Sequence, residues 1–286
     1  MRTATVPPVN EGITASLAAA WEYVRVRGDV LDRARFAALA GQPVEDAPVA
    51  PRVPQNADGG WPAYWSPDGA STLDGTCLQL FLLYAIPADS LAADIPAALE
   101  FVVRAQGADG IWSEGPSTLT PDWLLPGSPG ARAYLTANCA SILADYGVAP
   151  DVVARAAGAL EWSVDPHGRL PAPTVAHWLA ARVLRTQGRT MVVRRLLDVV
   201  GRGFEGFGVE ELAWFGACTR PGDRWNRRIA SRLAALQNPD GSWSDQEGVP
   251  ASATLTVNAA RVLLSAADAG PRTGRSAADP GNPGNA

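Results

Sequence analysis

Two side chains of this sequence stand where they could move a proton. His177, in Thr174-Val-Ala-His177-Trp178, is one of two histidines, and a neutral imidazole can act as a general base near pH 7. Asp74, in Thr72-Leu73-Asp74-Gly75-Thr76-Cys77, stands one or two residues ahead of an expected helix. An aspartate there either caps the helix or serves as an acid, and the residues alone leave that choice open. The second histidine, His167, falls in the turn Asp165-Pro-His167-Gly168 and is expected at the surface. All 24 basic residues are arginine, so a Schiff-base lysine and a P-loop lysine are excluded. The clusters Arg182, Arg185, Arg189, Arg194, Arg195 and Arg220, Arg224, Arg227, Arg228, Arg232 recur as solvated helix faces do. The other chemistry open to them is a bidentate grip on a diphosphate.

Elements able to position these groups follow from composition and period. The chain has 286 residues, 47% hydrophobic and 19% charged, enough to bury a full core. A net charge of −5 argues against a nucleic-acid partner. Three separated cysteines without a CxxC pair fit reduced thiols. The first residues lack the basic start and apolar run of a signal peptide, and no stretch is apolar for the ~18 residues a membrane span needs. A cytoplasmic protein is expected. Apolar residues at i, i+3, i+4 and i+7 recur between Pro and Gly clusters. They predict helices near 14–27, 29–40, 76–86, 91–106, 131–146, 150–162, 174–187, 190–202, 208–218, 223–237 and 251–267. No run alternates with period two. The expected class is all-α: a flexible start over 1–13, one helical domain over 14–269, and a disordered Gly/Pro/Ser-rich tail over 270–286.

Internal repeats fix the architecture. Gln55-Asn-Ala-Asp58-Gly59-Gly60-Trp61, Gln106-Gly-Ala-Asp109-Gly110-Ile-Trp112 and Gln237-Asn-Pro-Asp240-Gly241-Ser-Trp243 are copies of QxxDGxW, with a worn copy at Trp162-Ser-Val-Asp165-Pro-His167-Gly168. Each precedes a helix, as in Leu135-Thr136-Ala-Asn138 and Leu255-Thr256-Val-Asn258. Helix pairs stacked on neighbours form a solenoid or, if the rotation closes, a ring of five to six pairs. Asp-Gly supplies the turn and the tryptophan a buried apolar plate between layers. Aligning the units puts Thr76, Asn138, His177 and Asn258 in one register, around the mouth of any central cavity.

These turns resemble the QW motifs of triterpene cyclases and protein prenyltransferase β subunits, which share an (α/α) barrel. Laid on the DxDDTA motif of squalene–hopene cyclases, Asp74 takes the middle Asp and Thr76 the Thr, while Thr72 and Gly75 replace the outer carboxylates. The resemblance covers about residues 50–267, one barrel domain. It implies a terpene cyclase-like enzyme in which Asp74 protonates an isoprenoid or polyene and ring closure proceeds through carbocations in an apolar cavity. His177 is the implied candidate for the final proton. Tyr64, Trp65, Thr76, Trp123, Asn138, Trp178, Phe207, Trp214 and Asn258 are the candidates for holding the substrate. An apolar pocket keeps such an acid protonated, and ring faces stabilise cations. No cofactor is implied, with Mg²⁺ expected only for a diphosphate substrate. Peripheral membrane contact fits so apolar a substrate. Asp74, Cys77 and His177 also offer the atom types of a zinc site, at a spacing unlike that of the prenyltransferases. A non-catalytic binder of an apolar ligand and a prenyltransferase are the competing readings.

Overall fold

A computed structural model describes residues 9–45, 48–67, 69–115, 120–246 and 249–268. Residues 1–8 and 269–286 lie outside the described residues, and with them most of the expected flexible start and all of the expected tail. Eleven helices are described: α1 (Val9–Arg27), α2 (Val30–Leu39), α3 (Leu73–Leu83), α4 (Ile95–Arg104), α5 (Pro129–Asp145), α6 (Pro150–Ser163), α7 (Thr174–Thr186), α8 (Thr190–Gly203), α9 (Val209–Ala217), α10 (Arg224–Ala235) and α11 (Ala253–Asp268). The sequence pattern finds all of them. The differences are at the ends: α1 begins at Val9, within the stretch expected to be loose, and α3 at Leu73. A 3-10 turn, Ala88–Ser90, precedes α4, which starts only after its Asp94 cap. Two residues of strand on each side, Trp61–Pro62 and Ser71–Thr72, pair antiparallel just before α3.

The helices form two layers. Along the inner layer α3 packs on α5, α5 on α7, α7 on α9, α9 on α11, and α11 on α2. The outer helices α4, α6, α8, α10 and α1 bury one stripe each, as α8 does with Val192, Val193, Leu196 and Val200. Inner α5 instead buries ten of its residues on several sides.

The repeat turns weld the layers. Gln55 Nε2 donates to the Gly59 and Asp94 carbonyls, Gln106 Nε2 to those of Gly110 and Val152, and Gln237 Nε2 to those of Gly241 and Ser16. Each glutamine thus closes its own turn and ties it to the next outer helix. The last of them reaches α1, so α1 stands where the following outer helix would and the ring returns on itself. Gly59, Gly110, Gly168 and Gly241 all have φ between +80° and +90°. A Cβ at any of them would meet a carbonyl oxygen of that outer helix closer than 3.0 Å, so the chain needs glycine twice over. Trp61, Trp112 and Trp243 are fully buried.

Each turn is also tied to the helix that follows it. The backbone N–H groups of Trp61, Trp112 and Trp243 donate to the hydroxyls of Thr76, Thr136 and Thr256. In the worn unit Leu170 takes the tryptophan's place, and its N–H donates to His177 Nε2 at 3.0 Å. The register expected from sequence is therefore two residues out at α5 and α11: Thr76, Thr136, His177 and Thr256 are equivalent, and Asp74 corresponds to Tyr134 and Thr254. Among the described residues no helix is long and apolar enough to cross a membrane.

Candidate active site

Helices α3, α5, α7 and α9 enclose a cavity of about 740 Å³, an ordinary size for a small-molecule site. Successive inward turns line it: Asp74, Cys77, Leu78 and Phe81 from α3, Tyr134, Asn138, Ser141, Ile142 and Asp145 from α5. The stripe from Tyr134 to Asp145 runs ~16 Å along α5 at 1.5 Å per residue. Exposed Tyr64, Trp123, Glu210 and Glu211 mark the mouth, at the N-terminal ends of these helices. Asp145, Arg182, Ala217 and Cys218 mark the far end.

Asp74 sits in the first turn of α3, and this corrects its expected position ahead of the helix. Thr72 is the cap, its hydroxyl accepting from the Gly75 N–H at 2.9 Å. Freed from capping, the Asp74 carboxyl is 7% exposed and lines the cavity. Its Oδ1 accepts from the Tyr134 hydroxyl at 2.7 Å, and Asn138 Nδ2 donates to that same phenol oxygen at 3.3 Å. Burial pushes the Asp74 carboxyl above the usual aspartate value, against the pull of the Tyr134 bond. Burial, then the neighbouring Asp74 charge, hold the Tyr134 phenol well above its usual value, so it stays a donor.

A helix N-terminus favours a negative charge and would work against a protonated Asp74. Buried Glu114, from the loop after Trp112, answers it. Its Oε2 accepts the Leu73 N–H at 3.2 Å and its Oε1 the Asp74 N–H at 3.0 Å. The free donors of α3 are thereby engaged by a carboxylate other than Asp74. Burial raises the Glu114 pKa while these two bonds lower it.

Aromatic rings connect the acid to the mouth. Tyr64 meets Trp65 edge-on at 4.8 Å between centroids, Trp65 meets Trp123 at 6.2 Å, and Trp123 meets Tyr134 at 5.5 Å. Deeper in, Phe81 stacks on Trp214 at 4.4 Å, and Trp178, which lines the cavity, stacks on Phe215 at 5.4 Å. Rings in such number offer negative faces to a cation.

The expected site residues divide into three groups. Asp74, Tyr64, Trp123, Asn138, Trp178 and Trp214 are brought together around the cavity. Trp65 and Phe207 back it, Trp65 between Tyr64 and Trp123 and Phe207 edge-on against Trp178. Thr76, His177 and Asn258 are not among the residues lining the cavity. Thr76 holds the Trp61 turn. His177 uses both ring nitrogens in its own turn, Nε2 accepting from Leu170 and Nδ1 facing the Pro173 carbonyl at 3.3 Å. Burial lowers its pKa, and no nitrogen is left over for a substrate proton. The Asn258 carbonyl is taken by Arg35 Nη2 at 2.6 Å. With His177 so engaged the zinc alternative does not assemble; no metal-binding group of three or more His, Cys, Asp or Glu is found among the described residues. Arginines of the two clusters serve the scaffold, Arg232 donating to the carbonyls of Phe204, Glu205 and Phe207. Sequence reasoning missed Tyr134 and Glu114. Aligning Thr136 with Thr76 would have placed Tyr134 on Asp74's position in the next unit.

No protein-family model matches the chain, and no curated protein matches it. Solved structures do. One variant of MstE, a type II terpene cyclase from Scytonema, in complex with its substrate geranylgeranyl dihydroxybenzoate, superposes with a TM-score of 0.59 at 15% identity, over 92% of this chain and 100% of that one. A second variant with the same substrate gives 0.56 at 14% identity, over 93% and 99%. A third, with the product merosterolic acid A, gives 0.55 at 13%, over 93% and 100%. The fold is that of a type II terpene cyclase. Asp74 lies at the start of one inner helix and its tyrosine partner on the next, so the site is assembled by neighbouring repeats.

Proposed function

We propose that the protein is a proton-initiated terpene cyclase acting on an isoprenoid or polyene in the α3–α5–α7–α9 cavity, with Asp74 as the general acid. One observation carries the reading: a buried carboxyl without an ion-pair partner among the described residues opens onto a cavity walled by aromatic rings, with one oxygen held by a phenol donor. Bonding to Oδ1 leaves Oδ2 to carry the transferable proton. The proton passes from Oδ2 to a terminal alkene carbon or an epoxide oxygen. The cation that forms is attacked by the next double bond as each ring closes, the ring faces of Trp123, Trp178, Trp214 and Phe81 stabilising it. A last proton is lost to water or to a base, and Asp74 is reprotonated from solvent at the mouth. Tyr134 orients the acid and Asn138 orients Tyr134. Together with Glu114 they occupy the surroundings that the missing outer carboxylates of the DxDD pattern leave open.

Incubating the protein with polyprenyl substrates and analysing products by mass spectrometry tests this. Cyclised product from the wild type and none from Asp74→Asn is the expected result. Intact ligand retained in native mass spectra, with no turnover by the wild type, would establish the non-catalytic binder instead.

A further inference from the structure

The charges around the cavity choose among substrates. Among the described residues its lining carries four carboxyl groups, Asp74, Asp145, Glu210 and Glu211, against a single guanidinium, Arg182. That guanidinium is already committed: Nη2 pairs with Asp145, and Nη1 donates to the Ala217 carbonyl at 2.6 Å. Arg261, close enough to Arg182 for the two charges to repel, lies over the ring faces of Phe81 at 5.0 Å and Tyr84 at 5.6 Å. It is not among the lining residues.

Helix N-termini at the mouth are the other natural seat for an anion; the protein fills those of α3, α5 and α9 with its own oxygens, while α7, which lines the cavity with Pro173, Thr174 and Val175, has no side-chain cap. Thr72 and Glu114 engage the first N–H groups of α3, and the Ser128 hydroxyl accepts the Ala131 N–H of α5. At α9, Glu211 accepts the Gly208 N–H and Asp245 the Glu210 N–H, each at 3.0 Å. A diphosphate or carboxylate entering here would meet like charge at the mouth and, among the described residues, no uncommitted lining guanidinium inside.

We infer that the substrate enters uncharged, as a polyene hydrocarbon, alcohol, epoxide or neutral ester rather than a prenyl diphosphate or a free acid. The inference rests on reading the cavity as the cyclase site, and it makes Mg²⁺ unnecessary. It also places the protein in a sequence of reactions. A step that removes the diphosphate, by hydrolysis or by transfer of the prenyl group to a neutral acceptor, must come first.

Quenching of tryptophan fluorescence reports binding, because Trp123, Trp178 and Trp214 line the cavity. Geranylgeraniol and geranylgeranyl diphosphate are titrated into wild type and Asp74→Asn, with and without Mg²⁺. The methyl ester and free acid of geranylgeranyl dihydroxybenzoate form a second pair. The uncharged member of each pair is expected to bind at least about tenfold more tightly at low salt, with no rescue of the diphosphate by Mg²⁺. Equal or tighter binding of the charged member overturns the inference. Glu210→Arg, which reverses an exposed charge at the mouth, is expected to narrow the gap several-fold, and an unchanged ratio overturns the electrostatic cause. If the cyclase reading alone fails, the same preference appears without product. Binding of no probe removes the site itself, and the inference with it.

Discussion

Asp74 and Asp32 occupy matching places and have opposite surroundings. Both lie in the first turn of an inner helix, both are almost fully buried, and each accepts a hydroxyl from an adjoining inner helix. Asp74 takes Tyr134 of α5, and Asp32 takes Thr254 of α11 at 3.0 Å. Asp32 has guanidiniums as well, Arg52 at 2.8 Å and Arg35 at 3.9 Å. Asp74 has none among the described residues. A buried carboxyl with guanidinium partners has its charge balanced locally. One without them is pushed toward its neutral form and can give up a proton. Two buried first-turn aspartates on inner helices thus differ in their counter-charge, Asp32 facing two guanidiniums and Asp74 none among the described residues.

Removing the acid should separate the two most. Asp74→Asn is expected to lower cyclised product by about 10²- to 10⁴-fold with unchanged helical circular dichroism; retained turnover removes Asp74 from the reaction. Stability should move the other way. A carboxyl raised by burial costs nothing below its ordinary pKa near 3.8, and the cost grows as pH climbs toward the raised folded value. Asp74→Asn should therefore melt above wild type at pH 7 and lose that advantage toward pH 4. A Tm difference independent of pH would contradict the burial argument.

Disturbing the structural aspartate should do the reverse. Arg35 is 2% exposed, and burial draws its guanidinium down to about 9 against the opposing Asp32 charge. Arg35→Met leaves Asp32 with Arg52 alone and the Asn258 carbonyl without its donor. A loss of about 3 kcal/mol, or ~10 °C in Tm, is expected, while turnover well below the transition stays near wild type. Lost turnover in a folded Arg35→Met protein would mean that the two halves are coupled.

How much of this contrast could be read beforehand depends on which interactions are local. Helix positions and QxxDGxW turns depend on short-range pattern, so all eleven helices and the buried tryptophans were legible. The placement of Asp74 inside the first turn of α3 rather than ahead of it was not, because it hinges on α3 starting a few residues early, and that start is fixed by the Thr72 hydroxyl and by Glu114 from forty residues away. His177 looked chemical because histidine is scarce here. Its part became visible only once Leu170 was seen in the place of a tryptophan.

Tyr134 tunes the acid more gently. Tyr134→Phe deletes the 2.7 Å bond to Oδ1 and should lower turnover by about tenfold, roughly the worth of one hydrogen bond to a charged or reacting group. The bond lowers the Asp74 pKa, so its removal raises it. Activity that needs the protonated acid falls as pH rises through that pKa, and in Tyr134→Phe the fall should come at higher pH. A profile that stays put, or moves down, would show that the phenol does not act through Asp74.

The smallest effect belongs to the scaffold. His177 does with imidazole what threonine hydroxyls do in three other repeats, accepting the N–H of the turn residue ahead of its helix. His177→Ala leaves the buried Leu170 N–H without an acceptor and should cost ~1–2 kcal/mol. His177→Thr supplies the acceptor the other repeats use and should regain much of that loss. Turnover per folded molecule should match wild type in both variants, because the ring has no nitrogen to spare for a substrate. Equal thermal losses in Ala and Thr would show that packing, not the Leu170 bond, sets the residue's value. Turnover lost in both would return the imidazole to the reaction.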